Sequence, residues 1–300
     1  MPASPVSVVP RLAEFSDPLV PMSELAAFYS VHTVNLPHLR PYTWSNSMLS
    51  LDGFMNFNST PPPLLPADYV QLASDRSNLL VHGSVENDIC LKQHPEAGKY
   101  SIADYRLLNA GWVYADAVLS SGPCIRHDLG LVTVPVFPDM LEFRKNVLGK
   151  SDLPVQIIIT SNAKSFPYSK HAIFNRSDLC VVVISPYQDS IAAQHAFQES
   201  RSLTPTSSRL WTESTDAPRE PGTVRFVSLE NENNNDGVDL NNVMCWIRRA
   251  LNCEFLEIDA GGSVIRNMID EKLLDEVRMT QVGQIVCYFF FYTVFIKRRK

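Results

Sequence analysis

The stretch F-L-E-I-D-A-G-G-S-V-I-R-N-M-I-D, Phe255–Asp270, determines how the rest of this sequence is interpreted. Its apolar start, Phe255–Ile258, predicts a strand, and Gly261–Gly262 predicts a turn. Ser263 is a suitable N-cap for a following helix, whose apolar face is formed by Val264, Ile265, Met268 and Ile269. Free N–H groups and the positive end of a helix favour a phosphate at such a joint. Many strand–glycine–helix joints only turn the chain, so both interpretations stay open at this point.

The alternation of strand and helix extends to both sides of this stretch. Upstream, three short apolar segments rich in β-branched residues are predicted as buried strands: Val155–Thr160, Leu179–Ile184 and Val224–Ser228. Asp239 caps a predicted helix with an apolar stripe formed by Leu240, Val243, Met244, Ile247 and Leu251. Downstream, Leu274–Thr280 is predicted as a strand. This order predicts an α/β fold with a mostly parallel central sheet and helices on both faces.

The N-terminal part of the chain is less regular. Residues 1–39 are predicted to form a loosely attached arm, followed by a first strand at Tyr42–Leu51. The proline-rich residues 56–99 are predicted as a surface insertion, and residues 186–222 as a surface excursion around one helix. Between the two insertions, a capping-box-like start at Ser101 predicts a helix, and a short strand follows it. The folded domain is therefore predicted to cover residues 40–281.

The composition limits the classes of function. The 300 residues include 26 Lys and Arg against 32 Asp and Glu, a formal net charge of −6, and 45% of the residues are hydrophobic. We expect a globular protein and, without a basic stripe, no nucleic-acid binding. The six cysteines show no zinc-ligand spacing, which indicates free thiols in a reducing compartment and no metal site. The N-terminus lacks the pattern of a secretory signal, so we expect a cytoplasmic protein.

Two further strand ends carry polar groups. The segment I-I-I-T-S-N-A-K offers the hydroxyls of Thr160 and Ser161 and the ammonium group of Lys164, which suits the phosphate of an adenine nucleotide. An ordinary turn with an exposed lysine is the alternative. The segment S-L-D-G places Asp52 before a glycine, a combination that most often forms a turn. Ligands of parallel sheets bind beyond the carboxyl ends of the strands, where all three joints are expected to lie.

These three joints, in this order, resemble those of the reductase domain of riboflavin biosynthesis, which has a dihydrofolate-reductase-like fold. Four segments carry the resemblance: R-P-Y-T-W-S-N-S-M-L-S-L-D-G at Arg40–Gly53, D-Y-R-L-L-N-A-G-W-V-Y-A-D-A-V-L at Asp104–Leu119, I-R-H-D at Ile125–Asp128, and D-A-G-G-S-V-I-R-N-M-I-D-E-K-L-L-D-E-V-R-M-T at Asp259–Thr280. The resemblance covers about residues 40–55 and 100–281. It implies the same fold for this chain, with the two insertions added to it.

The resemblance also implies a function. Members of the family use NADPH to reduce the ribosyl ring of a phosphorylated pyrimidine to a ribityl chain, and the cofactor supplies the hydride. Three residues would hold the NADPH pyrophosphate: Gly261, Gly262 and Ser263. Three would face the adenosine end: Thr160, Ser161 and Lys164. Three would lie near the nicotinamide and the substrate: Asp52, Asp128 and Asp259. No residue is assigned a catalytic role, no membrane partner is expected, and a homodimer is expected because family members often pair.

Several positions depart from the pattern of the family. Asn46 stands where the family often has a Lys, and Pro135 stands where it has an Arg that contacts the substrate phosphate. Pro123 and Cys124 replace a Gly and a Thr, and Asp259 replaces a Glu. A charge-assisted bond to phosphate contributes about 1.5–3 kcal/mol, so losing two would weaken substrate binding considerably. Two functions follow as alternatives: an active reductase, or a diverged nucleotide-binding relative with weak or no activity.

The C-terminal tract Val282–Ile296, followed by K-R-R-K, does not continue the resemblance. It is shorter than the ~20 apolar residues that a spanning helix needs, and longer than the ~6 residues of an ordinary strand. Its Val-Cys and Tyr-Phe-Phe-Phe-Tyr segments are also compatible with a translated intron. We favour the intron and treat residues 282–300 as an aberrant tail, with a final strand and a membrane anchor as the alternatives.

Overall fold

The computed structural model describes residues 22–26, 29, 36–50, 106–150, 153–203, 208–211, 219–229, 238–282 and 291–297. The strands in these residues are β1 Tyr42–Ser50, β2 Ala117–Ser121, β3 Val155–Ile159, β4 Cys180–Ile184, β5 Arg209–Leu210, β6 Thr223–Val227, β7 Phe255–Asp259, β8 Glu276–Val282 and β9 Phe291–Lys297. The α-helices are α1 Met22–Leu25, α2 over residues 106–114, α3 Gly122–His127, α4 Pro138–Asn146, α5 Tyr187–Leu203, α6 Leu240–Ala250 and α7 Gly262–Asp270.

All of these strands belong to one sheet, in the order β5-β6-β4-β3-β2-β7-β1-β8-β9. The first eight strands of that order are parallel to their neighbours. Only β9 runs antiparallel, with Glu276 opposite Lys297 and Val282 opposite Phe291. The mostly parallel α/β architecture predicted from the sequence is confirmed. The β-branched runs form its centre because strands covered on both faces must be apolar on both faces.

Helices cover both faces of the sheet, as predicted. On one face, α6 and α7 pack against alternate strand residues such as Leu119 and Ile157. On the other face, α2 and α4 pack around Trp44 and Val118, and α5 packs beside them against Val181 and Val183. Successive strand residues point to opposite faces, so each β-branched strand contributes to both layers of the core.

Several local predictions differ from the structure. Gly261, not Ser263, is the N-cap of α7, so Ser263 lies in the first turn of that helix. The helices α3 and α4 were not predicted; Pro123 is the second residue of α3, and Pro138 is the first residue of α4. Within the predicted surface excursion 186–222, α5 buries Phe197 in the core, and the short strand β5 extends the sheet.

The C-terminal tract contributes β9, so residues 291–297 adopt the strand that was one of the three interpretations. Whether an intron encodes this segment is a property of the transcript and stays a prediction. Among the described residues, none of the helices combines the length and the apolar character that crossing a bilayer requires. The predicted insertion 56–99 and the first 21 residues of the predicted arm 1–39 lie outside the described residues, whereas Met22, Leu25 and Tyr29 of the arm are buried in the core instead of being loosely attached.

Candidate functional site

The candidate site lies at the carboxyl ends of β3, β2 and β7, which are adjacent in the sheet. From β2 the chain continues to β3, which lies on one side of β2 in the sheet. The strands β7 and β1 lie on the other side of β2. This change of direction creates a crevice, which is the usual place for a ligand in an open parallel sheet. Three connections border it: α3 after β2, the turn after β3, and the glycine joint between β7 and α7.

The glycine joint leaves the start of α7 open. Gly261 is the N-cap in an extended conformation, with φ −62° and ψ 160°; no side chain caps the helix, and no acidic residue lies in its first turn. A Cβ built on Gly262 would meet nothing within 4 Å, and one on Gly261 would only touch Ser121 Oγ, at 4.0 Å. Neither glycine is therefore required by an unusual backbone angle or by internal packing. The uncapped N–H groups can donate hydrogen bonds to an anion, and the absence of Cβ atoms leaves space for it beside the start of the helix.

The turn after β3 is different, because its backbone donors are already used. The carboxylate of Asp189, in the first turn of α5, accepts the N–H of Ala163 at 2.5 Å and that of Lys164 at 3.3 Å. Thr160 is buried and its Oγ1 accepts the N–H of Asn162 at 3.1 Å. The side chains of Ser161 and Lys164 are exposed. A ligand at this turn would therefore contact side chains rather than backbone N–H groups.

The helix α3 lies between the glycine joint and the turn after β3. Pro123, which replaces a Gly of the family pattern, lies in its first turn, where a backbone N–H has no helical acceptor, so the donor that proline lacks is not needed by the helix. Gly122 packs directly on β3, since a Cβ on it would stand 2.3 Å from Thr160 Oγ1. Cys124 Sγ lies 3.1 Å from Ser121 Oγ. The sequence signal for this packing was the glycine itself, which was interpreted only as part of a turn.

Of the three predicted substrate residues, the structure describes Asp259 and Asp128, and it does not bring these two into contact. Asp259 ends β7 and lies opposite Ser120 of β2, two residues before the glycine joint. Burial raises the pKa of its carboxyl group to about 6. Asp128 follows α3, and its Oδ1 accepts the N–H of Gly130 at 2.8 Å in a local turn. No described contact joins Asp128 to Asp259, and Asp52 lies outside the described residues.

A second acidic residue on β7 was not singled out from the sequence. Glu257 is fully buried on the same face of the strand as Asp259, and its Oε1 accepts a bond of 2.6 Å from Asn46 Nδ2. Burial raises the pKa of Glu257 well above its ordinary value, and the nearby Asp259 raises it further. A glutamate in the middle of a predicted buried strand was the signal that could have found this group. In the described part of the chain, no cluster of three or more His, Cys, Asp or Glu is arranged for a metal ion.

Comparison with solved structures places this arrangement in context. A pyrimidine reductase-like protein from Corynebacterium diphtheriae superposes with a TM-score of 0.50 at 14% identity, covering 87% of this chain and 92% of that one. The chain has the fold of the riboflavin-biosynthesis reductases. RibD of Acinetobacter baumannii gives a TM-score of 0.48 at 13% identity, over 87% of this chain and 59% of that protein. The riboflavin biosynthesis reductase Rib7 of Saccharomyces cerevisiae gives 0.45 at 9% identity, over 92% and 98%.

No protein-family description and no curated protein matches the sequence. The likeness to the riboflavin-biosynthesis reductases therefore concerns the fold, and it confirms the dihydrofolate-reductase-like architecture expected from the sequence. In an open parallel sheet, a crevice such as that between β3, β2 and β7 is the expected place for a ligand. The open start of α7 meets the requirements of a pyrophosphate, namely free donors, a favourable helix dipole and space for close approach.

Proposed function

We propose that this protein is an NADPH-dependent reductase that acts on a phosphoribosylamino-pyrimidine and forms its ribitylamino product. The observation that carries the proposal is the uncapped, glycine-lined start of α7, two residues beyond the partly buried Asp259. An uncapped helix start and a carboxyl group whose pKa is raised to about 6 lie close together at the switch point of the sheet, which supports the proposal. The reductase-like fold supports the same assignment.

The residues of the chain would divide the work as follows. Gly261, Gly262 and Ser263 would bind the pyrophosphate of NADPH through N–H groups at the start of α7. Thr160, Ser161 and Lys164 would face its adenosine end. NADPH would supply the hydride. Asp259 would lie beside the reacting ring, where its raised pKa of about 6 would let it gain or lose a proton near pH 6. Asp52 and Asp128 are assigned to the substrate side by resemblance alone.

A second candidate function is a nucleotide-binding relative with weak or no activity on this substrate. Asn46 Nδ2 donates to Glu257 Oε1 and to Tyr29 Oη, so both of its N–H groups are used within the protein rather than presented to a substrate phosphate. Pro135 is buried and carries no charge. The two cations expected at these positions are therefore missing, and this observation favours the second candidate on the substrate side of the crevice.

Two measurements separate these functions. NADPH binding is followed by fluorescence titration, and turnover is followed by NADPH oxidation with the phosphoribosylamino-pyrimidine. In Gly262→Glu, bulk and like charge at the helix start should abolish NADPH binding. Asn267→Glu is the matched control, because it adds the same charge at an exposed position further along α7. Equal affinity of wild type and Gly262→Glu would show that the cofactor lies elsewhere.

Turnover then decides between an active enzyme and a binding relative. Rescue of a riboflavin auxotroph that lacks this reductase would support the active enzyme. NADPH binding without turnover or rescue would support the diverged relative, as the missing cations lead us to expect. We further propose a cytoplasmic homodimer. The four cysteines among the described residues are free thiols, which suits a reducing compartment, and sedimentation velocity would measure the oligomeric state.

A further inference from the structure

Arg126 lies at the border of the crevice and is held there by neutral groups. Its Nη1 donates to Thr160 Oγ1 at 3.4 Å and to the carbonyl oxygen of Asn162 at 3.2 Å. The guanidinium group also lies 5.5 Å from the centre of the Phe166 ring. These contacts fix the position of the group without neutralising its charge. Gly122 makes the position accessible, since only a residue without Cβ lets α3 begin against Thr160.

The absence of a counter-charge distinguishes Arg126 from most of the arginines among the described residues. Eight arginines form ion pairs with a carboxylate: Arg40, Arg106, Arg176, Arg209, Arg219, Arg248, Arg266 and Arg278. Across the described ranges, no carboxylate lies within ion-pair distance of Arg126, and its Nε and Nη2 bond to none of these residues. A partly buried cation whose Nε and Nη2 carry three unused N–H groups is suited to bind an anion.

The anion that fits this place follows from the spacing of the sheet. The turn after β3 and the start of α7 are separated by β2, which is two strand spacings or about 10 Å. A dinucleotide with its pyrophosphate on α7 can place its adenosine ribose at the end of β3. The N–H groups of Ala163 and Lys164 are taken by Asp189, so a phosphate on that ribose must be bound by side chains.

We propose that Arg126 binds the 2′-phosphate of NADPH and makes the site select NADPH over NADH. The proposal rests on the proposed function, because it takes the nucleotide to lie across β2. Lys164 is exposed on the same turn and adds a second positive charge. Asp189 supports this selection indirectly, since it removes the backbone donors that would bind a phosphate without discrimination.

The test compares the dissociation constants of NADPH and NADH for wild type, Arg126→Gln, Arg126→Lys and Arg176→Gln. Glutamine keeps a donor toward Thr160 and Asn162 but removes the charge. Loss of one charge-assisted contact should raise the dissociation constant of NADPH about 10- to 100-fold and leave that of NADH unchanged. Arg176→Gln is the matched control, because Arg176 is exposed and already paired with Asp178.

The possible outcomes separate this proposal from the proposed function. If Arg126→Gln weakens the binding of NADPH and of NADH equally, Arg126 only holds α3 against the turn after β3, and the proposal is wrong. If wild type binds both nucleotides equally well, the proposed reductase function is retained and the proposal of selectivity is wrong. If wild type binds neither nucleotide, both fall. Should Arg126→Gln fail to fold, Arg126→Lys keeps the point charge and must retain part of the NADPH preference, and loss of all preference in that folded variant would contradict the proposal.

Discussion

Asn46 Nδ2 and Glu257 Oε1 lie 2.6 Å apart and join β1 to β7 directly beneath α2. The second carboxylate oxygen of Glu257 and the side-chain oxygen of Asn46 have no hydrogen-bond partner among the described residues. Gly111 of α2 covers the pair, and a Cβ on it would stand 2.5 Å from Glu257 Oε2. A buried acid with one donor and no cation at bonding distance is more stable in its neutral form. The pair therefore connects the packing of α2 to the protonation of β7.

Gly111→Ala is expected to destabilise the protein, although alanine is the better helix former. The added methyl group would also stand 2.6 Å from Asn46 Nδ2, so the hydrogen-bonded ends of both side chains would have to shift. Overpacking of this kind costs about 1–3 kcal/mol. Urea unfolding measures the change in the free energy of unfolding. An unchanged or higher value would mean that α2 does not rest on this pair.

Gly262→Ala, at the start of α7, is expected to stabilise the protein, in contrast to Gly111→Ala. The new Cβ meets no atom within 4 Å, so the substitution should raise the free energy of unfolding by about 0.4–1 kcal/mol. NADPH affinity should fall, because the methyl group occupies the space left for the pyrophosphate. A variant that is more stable and binds NADPH as tightly as wild type would contradict the role of this glycine.

Glu257→Gln should make the protein more stable at pH 8 than wild type, with little difference at pH 4. Glutamine keeps an oxygen that accepts the Asn46 bond and cannot ionise. The raised pKa of Glu257 means that the unfolded chain loses this proton at a lower pH than the folded chain. Wild type therefore loses stability as pH rises above about 4.5, and the variant does not. Denaturant midpoints at several pH values test this, with the exposed Glu142→Gln as control.

Asp259→Asn should remove a second pH dependence, over a window that the pKa values define. The folded pKa of about 6 exceeds the ordinary 3.8, so the contribution of the protonated group is present below pH 3.8 and is lost as pH rises through 6. The shift corresponds to about 3 kcal/mol of stability at most. The exposed Asp270→Asn should leave the pH profile unchanged. Parallel profiles for wild type and Asp259→Asn would show that the carboxyl group is not desolvated.

The interpretation of residues 282–300 as a translated intron is tested on the transcripts. Sequencing across the codons for Ile285–Tyr288 should find a spliced form that continues into family-like sequence. Transcripts that all read straight through would refute the intron and leave β9 as the genuine edge of the sheet. Pairing of β9 with β8 does not decide the question, since any apolar β-rich segment can extend a sheet edge.

The sequence alone determined the buried strands and the helices with a clear apolar stripe, together with their order along the chain. β-Branched runs such as Val155–Thr160 can hardly be anything other than buried strands, and the apolar stripe after Asp239 is fixed by the helical period. The side chain of Asp239 caps α6 as predicted, accepting from two backbone N–H groups. Alternation of these elements restricts the chain to a parallel sheet with helices on both faces. This alternation restricts the order of the strands at the crevice but does not fix it.

Only the tertiary structure decided which side chains meet. Asn46 and Glu257 are 211 positions apart, and Arg126 lies 34 from Thr160. Asp189 takes backbone donors from a turn 26 positions earlier, which changes what that turn can bind. The spacing of apolar residues indicates which face of a helix or strand is buried, but it does not indicate which element packs against that face. Contacts of this kind depend on strand order and helix placement, so the charge state of Glu257 and the freedom of Arg126 appear only once the sheet is assembled.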